Sequence, residues 1–186
     1  MPAITDAKIL ILATHGFEQS ELMKPLEDLK AKGATVHVAS PSGDAVKGWD
    51  GDDWGDSVAS DLKLSDAKAD DYHALVLPGG QINPDLLRVE PEAISLIQAF
   101  VKSGKIVAAV CHAPWLLIEA GVAQGRDMTC YKSIRTDLKN AGANVKDESV
   151  VVSNGIITSR NPDDLDDFVA KIVEEVEEGR HARPAA

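Results

Sequence analysis

Short runs of apolar residues alternate along the chain with segments whose apolar side chains recur every three or four positions. The apolar runs predict buried β-strands at Lys8–Ala13, Thr35–Ser40, Tyr72–Leu77 and Ile106–Val110. The periodic segments predict helices at Glu18–Lys32, at Pro91–Lys102, from Cys111 through Ala120, at Ser133–Asn140 and at Asp163–Glu177. Strands that alternate with helices are typical of a parallel sheet covered by helices on both faces.

Other segments depart from this alternation. Val150–Val152 and Ile156–Thr158 flank Asn154 and Gly155, a dipeptide that predicts a β-hairpin. The stretch 41–60 contains several glycines and acids together with Trp49 and Trp54, and it predicts a loop or a small hairpin. It could be a wall of an active site, an oligomer contact or an ordered surface excursion.

The ends of the predicted elements also carry signals. Pro25 falls inside the first predicted helix, which predicts a kink or an irregular first turn. The tail 179–186 is expected to fray. The chain shows neither an internal repeat nor a linker, so residues 1–186 are expected to form a single domain.

Composition narrows the function classes. The chain has 186 residues, of which 44% are hydrophobic, and 19 basic against 30 acidic residues give a net charge of −11. The acidic balance argues against nucleic acid or an anionic membrane as a partner. The chain's 2 cysteines are too few for a disulfide scaffold. Without a secretory signal or an apolar span, we expect a cytoplasmic protein. No nucleotide-binding motif and no metal-ligand spacing is present, so neither cofactor nor metal is predicted.

Unusual residues follow three of the predicted strands: Thr14–Glu18 after the first, Pro78–Gln81 after the third and Cys111–Ala113 after the fourth. In open α/β sheets, ligands bind beyond the carboxyl ends of the strands. We therefore expect these three segments to converge on one site.

Cys111 joins a predicted strand directly to a predicted helix. A sharp turn there would present the thiol above the sheet, and helix amides would lower its pKa, which describes a nucleophile. The same position also suits a buried structural cysteine. The side chains of Cys111 and His112 can meet only if the turn is distorted. Cys130 lacks such a turn and is interpreted as a structural thiol, or alternatively as a resolving partner of Cys111.

The remaining candidates each have a plainer interpretation. The backbone of Gly79 and Gly80 could stabilise an oxyanion, or simply form a turn. Glu18 suits a helix start in any fold, but beside a thiolate it should hold a proton because two anions repel. His15 is a pocket candidate or a loop histidine, and Asp85 suits a solvated turn.

Several motifs resemble the PfpI family, whose members are called intracellular protease I or general stress proteins. That family is related to the parkinsonism-associated deglycase and to class I glutamine amidotransferase-like domains. The resemblance covers nearly the whole chain, and its most specific part is the segment around Cys111. The resemblance is carried by residues 16–18 with Glu21 and Leu22, and by the segments 75–80, 108–117 and 158–165.

The resemblance implies a flavodoxin-like three-layer α/β/α sandwich with a nucleophile elbow. It implies that Cys111 is the nucleophile, that His112 is its partner, and that the carboxyl of Glu18 touches the sulfur. The oxyanion donors would be the backbone of Gly80 and His112.

The resemblance also implies a pocket near Tyr131 and Trp115, and homo-oligomers that are dimers or hexamers. In protease-like members a Glu of a neighbouring subunit completes the site, and this chain has the shorter Asp85 at that place.

These features predict a stress protein that hydrolyses glyoxal or methylglyoxal adducts, or acyl and peptide bonds, through Cys111. The substrate would be a small electrophile or a peptide. The alternative is a redox-sensing or protective protein whose cysteine oxidises with little turnover. A pure interaction protein would leave the residues at the strand ends unexplained.

Overall fold

The computed structural model describes residues 2–182. Its strands are β1 Lys8–Leu12, β2 Phe17–Glu18, β3 Thr35–Ser40, β4 Val46–Asp50, β5 Asp53–Val58, β6 Leu62–Lys63, β7 Ala74–Leu77, β8 Ile106–Val110, β9 Asp127–Met128, β10 Asn144–Val145, β11 Val150–Ser153 and β12 Ile156–Ser159. Its α-helices are α1 Gln19–Ala31, α2 Ile82–Leu87, α3 Pro91–Lys102, α4 Pro114–Glu119, α5 Arg135–Asn140 and α6 Leu165–Glu178.

A seven-stranded sheet in the order β11-β12-β8-β7-β1-β3-β6 forms the centre of the fold. Every neighbouring pair is parallel except β11 and β12, which form the predicted antiparallel hairpin at one edge. Asn154 and Gly155 both have positive φ, at 51° and 77°, as a tight hairpin turn requires. The predicted, mainly parallel sheet is therefore confirmed.

Helices cover both faces of this sheet, as the fully apolar central strands require. On one face, Leu10, Leu75 and Val107 pack with apolar side chains of α2 to α5. On the other, Ile9 and Val76 pack with those of α1 and α6. The three-layer α/β/α arrangement agrees with the predicted flavodoxin-like class.

The stretch 41–60 forms a hairpin of β4 and β5, which resolves the choice between a loop and a hairpin. β2 pairs with β4 and so attaches this hairpin to the start of α1. Across the hairpin, Trp49 and Trp54 are paired in register, with ring centroids 5.5 Å apart and edge-to-face geometry.

The helix and tail expectations have mixed outcomes. α1 continues through Pro25 to Ala31 as one helix. The tail is not frayed at 179–182, because His181 N donates to Gly104 O at 2.8 Å and Asn154 Nδ2 donates to Ala182 O at 3.0 Å. Residues 183–186 lie outside the described part, where the expectation of fraying stands untested. Between Pro2 and Ala182, each helix is too short or too polar to cross a membrane.

Candidate active site at the strand ends

The carboxyl ends of β1, β7 and β8 meet at one edge of the sheet, since these strands are neighbours. Thr14 N, after β1, donates to Oδ1 of Asn83 at 2.7 Å. Glu18 N donates to the carbonyl of Gly79, which follows β7, at 3.4 Å. These contacts hold the segment after β1 against the segment after β7, and the Gly80 amide brings the latter to Cys111, so the three predicted segments do meet.

Cys111 stands on a sharp turn between β8 and α4. Its φ is +64°, a left-handed conformation that a residue with a Cβ adopts at a cost of about 1–2 kcal/mol. Its amide donates to Ser159 O at 3.0 Å, and its carbonyl accepts from Tyr131 N at 2.8 Å, so both neighbouring segments hold the strained residue. The residue is 5% exposed, which leaves a narrow approach to the thiol.

The backbone amides near the sulfur come from two loops. The N–H groups of Gly80 and His112 face the Cys111 thiol, as expected for oxyanion donors. The N–H of Gly79 instead donates to Glu21 Oε2 at 2.9 Å, so Gly79 is not available as a donor. α4 begins only at Pro114, and the amides at the sulfur therefore belong to the turn rather than to the helix.

The carboxyl beside the sulfur is that of Glu21, which corrects the expectation for Glu18. Glu21 is fully buried in the first turn of α1 and interacts with the Cys111 thiol. Glu18 ends β2 and turns its half-buried side chain toward the hairpin, where the Gly51 amide donates to it. The backbone is extended at Glu18 and helical from Gln19 onward, so the two side chains leave the chain in different directions.

Burial raises the pKa of Glu21 to about 8, and the nearby Glu18 charge adds to this effect, whereas hydrogen bonding with the Cys111 thiol and with the Gly79 and Gly80 amides lowers it. Glu21 therefore holds a proton at neutral pH. Its Oε2 accepts from Gly79 N, and its Oε1 has no hydrogen-bond partner among the described residues, so Oε1 is the oxygen free to carry that proton.

The Cys111 thiol experiences opposing influences. Burial raises the pKa of Cys111, as does an ionised Glu21, and the amides of Gly80 and His112 lower it. The amides do lower the thiol pKa as expected, but burial raises it by more, so the net shift is upward. Because a protonated Glu21 carries no charge, its repulsion of a thiolate disappears at neutral pH.

Four neighbouring side chains contact the His112 ring and fix its orientation. Its Nδ1 lies 3.1 Å from Cys111 Sγ, and its Nε2 lies 3.1 Å from Ser133 Oγ. Tyr131 stacks on the imidazole at 4.8 Å, and Trp115 packs edge-on at 5.2 Å. Burial lowers the pKa of His112, so the ring is neutral at neutral pH and able to accept a proton.

The positive φ of Cys111 is the distortion that lets neighbouring side chains meet. The structure thus brings together Cys111, His112, Tyr131 and Trp115 from the predicted set.

Two predicted residues lie apart from this group. His15 is exposed, and its Nδ1 accepts from Lys47 N at 3.0 Å, so the ring fastens the hairpin. Asp85 is exposed on α2. Within this chain the Nε2 atom of His112 faces Ser133 instead of Asp85.

Cys130 and Trp54 lie outside the group of side chains around the Cys111 sulfur. Cys130 is fully buried in the apolar cluster with α3 to α5, and burial raises its pKa to about 12. Trp54 remains exposed on the hairpin.

Glu21 and Ser133 are the site residues that sequence patterning missed. Glu21 shares the buried face of α1 with Leu22, Pro25 and Leu29, so an acid within an apolar stripe was a usable signal. Ser133 lies in a short 3₁₀ turn before α5 and gave no such signal.

Comparisons with known proteins find relatives along most of the chain. YraA of Bacillus subtilis, whose name proposes a cysteine protease, is 43% identical over 162 residues, covering 87% of this chain and 93% of YraA. Deglycase TK1284 of Thermococcus kodakarensis is 41% identical over 158 residues, covering 85% of this chain and 92% of the deglycase.

The fold has solved counterparts as well. DJ-1beta of Drosophila melanogaster superposes with a TM-score of 0.83 at 29% identity, covering 92% of this chain and 94% of that protein. The profile of the DJ-1/PfpI family matches residues 7–175. With a match of this extent and relatives above 40% identity, the chain belongs to the DJ-1/PfpI family.

Proposed function

We propose that this protein is a cysteine-dependent hydrolase that acts on carbonyl-derived adducts, such as those of glyoxal or methylglyoxal, in stress protection. The observation that carries the proposal is the position of Cys111 Sγ. The sulfur lies 3.1 Å from a neutral imidazole, faces the amides of Gly80 and His112, and contacts the protonated carboxyl of Glu21.

This arrangement supports attack on a carbonyl carbon. His112 Nδ1 takes the thiol proton, the sulfur electron pair forms the Sγ–C bond, and the carbonyl π pair moves to oxygen. The amides of Gly80 and His112 donate to that oxygen. An adduct formed from a dicarbonyl keeps one free carbonyl group, which offers this type of carbon. After attack, the neighbouring carbinol C–N bond breaks: its electron pair goes to nitrogen, which takes the proton from His112, and the carbinol O–H becomes a carbonyl and gives its proton to His112. The oxyanion then re-forms its carbonyl as the Sγ–C bond breaks, the sulfur takes the proton from His112, and water adds to the released dicarbonyl.

When the substrate contains an acyl–nitrogen bond, water is the only co-reactant needed to complete the catalytic cycle. The C–N bond breaks as the nitrogen takes the proton from His112, which leaves a thioester on Cys111. Water then loses a proton to His112 and forms the C–O bond, and the C–S bond breaks to return the sulfur. Peptide and other acyl bonds are therefore the alternative substrates of the same centre.

The names of two relatives bear on the substrate class. The name of the Thermococcus kodakarensis relative supports the deglycase assignment, and that of the Bacillus subtilis relative supports the protease alternative.

We further propose that the active form is a homo-oligomer. Ile82, Leu86 and Val89 form an apolar stripe on the outer face of α2 and the turn after it, and are 37%, 45% and 75% exposed. Asp85 lies among them and is exposed. A second copy packed on this stripe would cover it and would bring Asp85 toward the partner's site.

The test is turnover of methylglyoxal-treated N-acetyl-lysine, followed by chromatography of the regenerated amine. Cys111→Ser should reduce regeneration to the uncatalysed rate, because serine lacks the acidity and nucleophilicity of the thiol. The matched control is Cys130→Ala, which removes the other thiol and should retain turnover. Equal rates for the wild-type protein and Cys111→Ser would refute the hydrolase proposal.

The second candidate function is redox sensing, and the contact between Glu21 and Cys111 favours it. A protonated carboxyl at the sulfur would donate a hydrogen bond to a sulfinate oxygen and so stabilise that form. A wild-type protein without turnover that gains two oxygens on Cys111 under mild peroxide, by mass spectrometry, would identify a sensor.

A further inference from the structure

A second cluster of polar side chains lies at the end of the sheet opposite to Cys111. Glu175 and Glu178 share one face of the last turn of α6. Gly179 ends the helix with φ 95° and ψ −150°, a conformation open essentially to glycine, and reverses the chain. His181 N then donates to Gly104 O, just before β8, so the imidazole returns to the helix.

The polar atoms of this cluster face one another without forming hydrogen bonds. Glu175 is only 6% exposed, and its Oε2 lies 2.9 Å from His181 Nε2. Both atoms are inaccessible to water, and neither makes a hydrogen bond of adequate geometry with the described residues. The two atoms lie within ion-pair distance of each other, but within residues 2–182 neither has the hydrogen bond that a buried polar group normally makes.

A metal ion is the partner that this arrangement fits. One ligand atom from each of Glu175, Glu178 and His181 lies within 4.8 Å of the other two. Bonds of about 2.0–2.2 Å to a Zn²⁺ ion place its ligands up to about 4 Å apart. The side chain of Glu178 is exposed and free to move by the small remaining distance.

The donor set also selects the kind of metal. An imidazole nitrogen with two carboxylates suits Zn²⁺ and related transition metals, whereas Ca²⁺ and Mg²⁺ favour oxygen ligands alone. Three protein ligands leave a coordination position for water. The nearby Lys171 forms an ion pair with Glu174 at 2.6 Å, so this lysine already has a carboxylate partner outside the cluster.

We propose that Glu175, Glu178 and His181 form a binding site for one divalent transition-metal ion of the Zn²⁺ type. The ion fastens the chain after Gly179 to α6, and through the contact between His181 and Gly104 to the start of β8. The site is structural and independent of the hydrolase proposed above, because β8 separates the two along its whole length.

The experiment is a Zn²⁺ titration by calorimetry on the full chain carrying Cys111→Ser, which removes the competing reactive thiol. We expect one ion per chain. Glu178→Gln and His181→Gln should each weaken binding by about 100-fold or more, since even partners outside the coordination sphere contribute about 10- to 100-fold. Glu174→Gln, a neighbour on the same helix outside the cluster, is the matched control and should bind as before.

A Co²⁺ titration gives an independent readout. Bound Co²⁺ should show ligand-field bands without a thiolate charge-transfer band, because the three ligands contain no sulfur. The melting temperature should rise with Zn²⁺ and should not rise in the Glu178→Gln variant. Failure to bind a stoichiometric ion, binding that survives both ligand substitutions, or a thiolate band would overturn the proposal.

Discussion

Glu21 shows how a single buried carboxyl can set the chemistry of its neighbour. Its carboxyl interacts with the Cys111 thiol, its Oε2 accepts from Gly79 N, and its Oε1 is left without a hydrogen-bond partner among the described residues. Because burial keeps the carboxyl protonated near neutral pH, Glu21 is a neutral neighbour of the sulfur rather than a second anion.

This protonation makes stability depend on pH. Burial raises the pKa of Glu21 from its ordinary value of 4.5 to about 8 in the folded protein. Its contribution to stability is fully present below pH 4.5 and is lost as the pH rises to about 8, because the folded state then binds more protons than the unfolded state. Glu21→Gln removes the titrating group, so its free energy of unfolding should fall less over this window than that of the wild-type protein.

Urea denaturation at a series of pH values measures this difference. At about 1.4 kcal/mol per pKa unit, it should reach a few kcal/mol. Glu27→Gln changes an exposed acid of the same helix and should follow the wild-type curve. Parallel curves for all three proteins would show that Glu21 is ionised in the folded state.

At the scale of elements, the turn after β8 and the turn after β7 form one unit. A Cβ on Gly79 would lie 2.5 Å from Glu21 Oε2, 2.6 Å from Val110 O and 2.7 Å from Cys111 Cβ. These approaches are far below van der Waals contact. The second position of the Pro-Gly-Gly turn is therefore restricted to glycine by packing against the nucleophile turn, not by its own backbone conformation.

Gly79→Ala should accordingly destabilise the protein by about 3 kcal/mol or more, as overpacking in a tight site does. Gly121→Ala is the comparison, because Gly121 has φ +74° and nothing within 4 Å of an added Cβ. That variant should cost only about 1–2 kcal/mol of backbone strain. Urea unfolding of both variants measures the difference, and equal losses would contradict the packing argument.

For the molecule as a whole, the outer face of α2 is the surface through which we propose that copies associate. Leu86→Glu places a charge in the exposed apolar stripe, and we expect it to dissociate the proposed oligomer and to lower turnover if Asp85 acts across the interface. Sedimentation velocity with parallel activity assays measures both effects. Glu92→Lys alters an exposed residue outside the stripe and should change neither. A wild-type protein that is monomeric and fully active would rule out this interface.

Much of the architecture could be predicted because its signals are local. The apolar runs at Ile106–Val110 and Tyr72–Leu77 indicated buried strands, and the Asn154–Gly155 dipeptide indicated the hairpin of β11 and β12. The carboxyl ends of β7 and β8 had to lie together once the sheet was parallel. The position of Cys111 at such an end pointed to the site before any contact was known.

The contacts within the site were not accessible in the same way. Glu18 and Glu21 are three residues apart, and although Glu21 falls on the apolar stripe of α1, nothing in the sequence shows which carboxyl reaches Cys111. Only the pairing of β2 with the hairpin and the packing of α1 turn one carboxyl outward and bury the other. The approach of Ser133 to His112 and the return of His181 to α6 likewise depend on long-range contacts.

The amino-acid sequence by itself determined the main strands and helices, the parallel sheet and the place of the candidate nucleophile Cys111, because periodicity and turn chemistry act over a few residues. The tertiary structure alone decided which carboxyl touches that thiol, which hydroxyl faces the imidazole and which acids gather around His181. Those choices depend on how elements distant in the chain pack, and burial then fixes the protonation of the groups that they bring together.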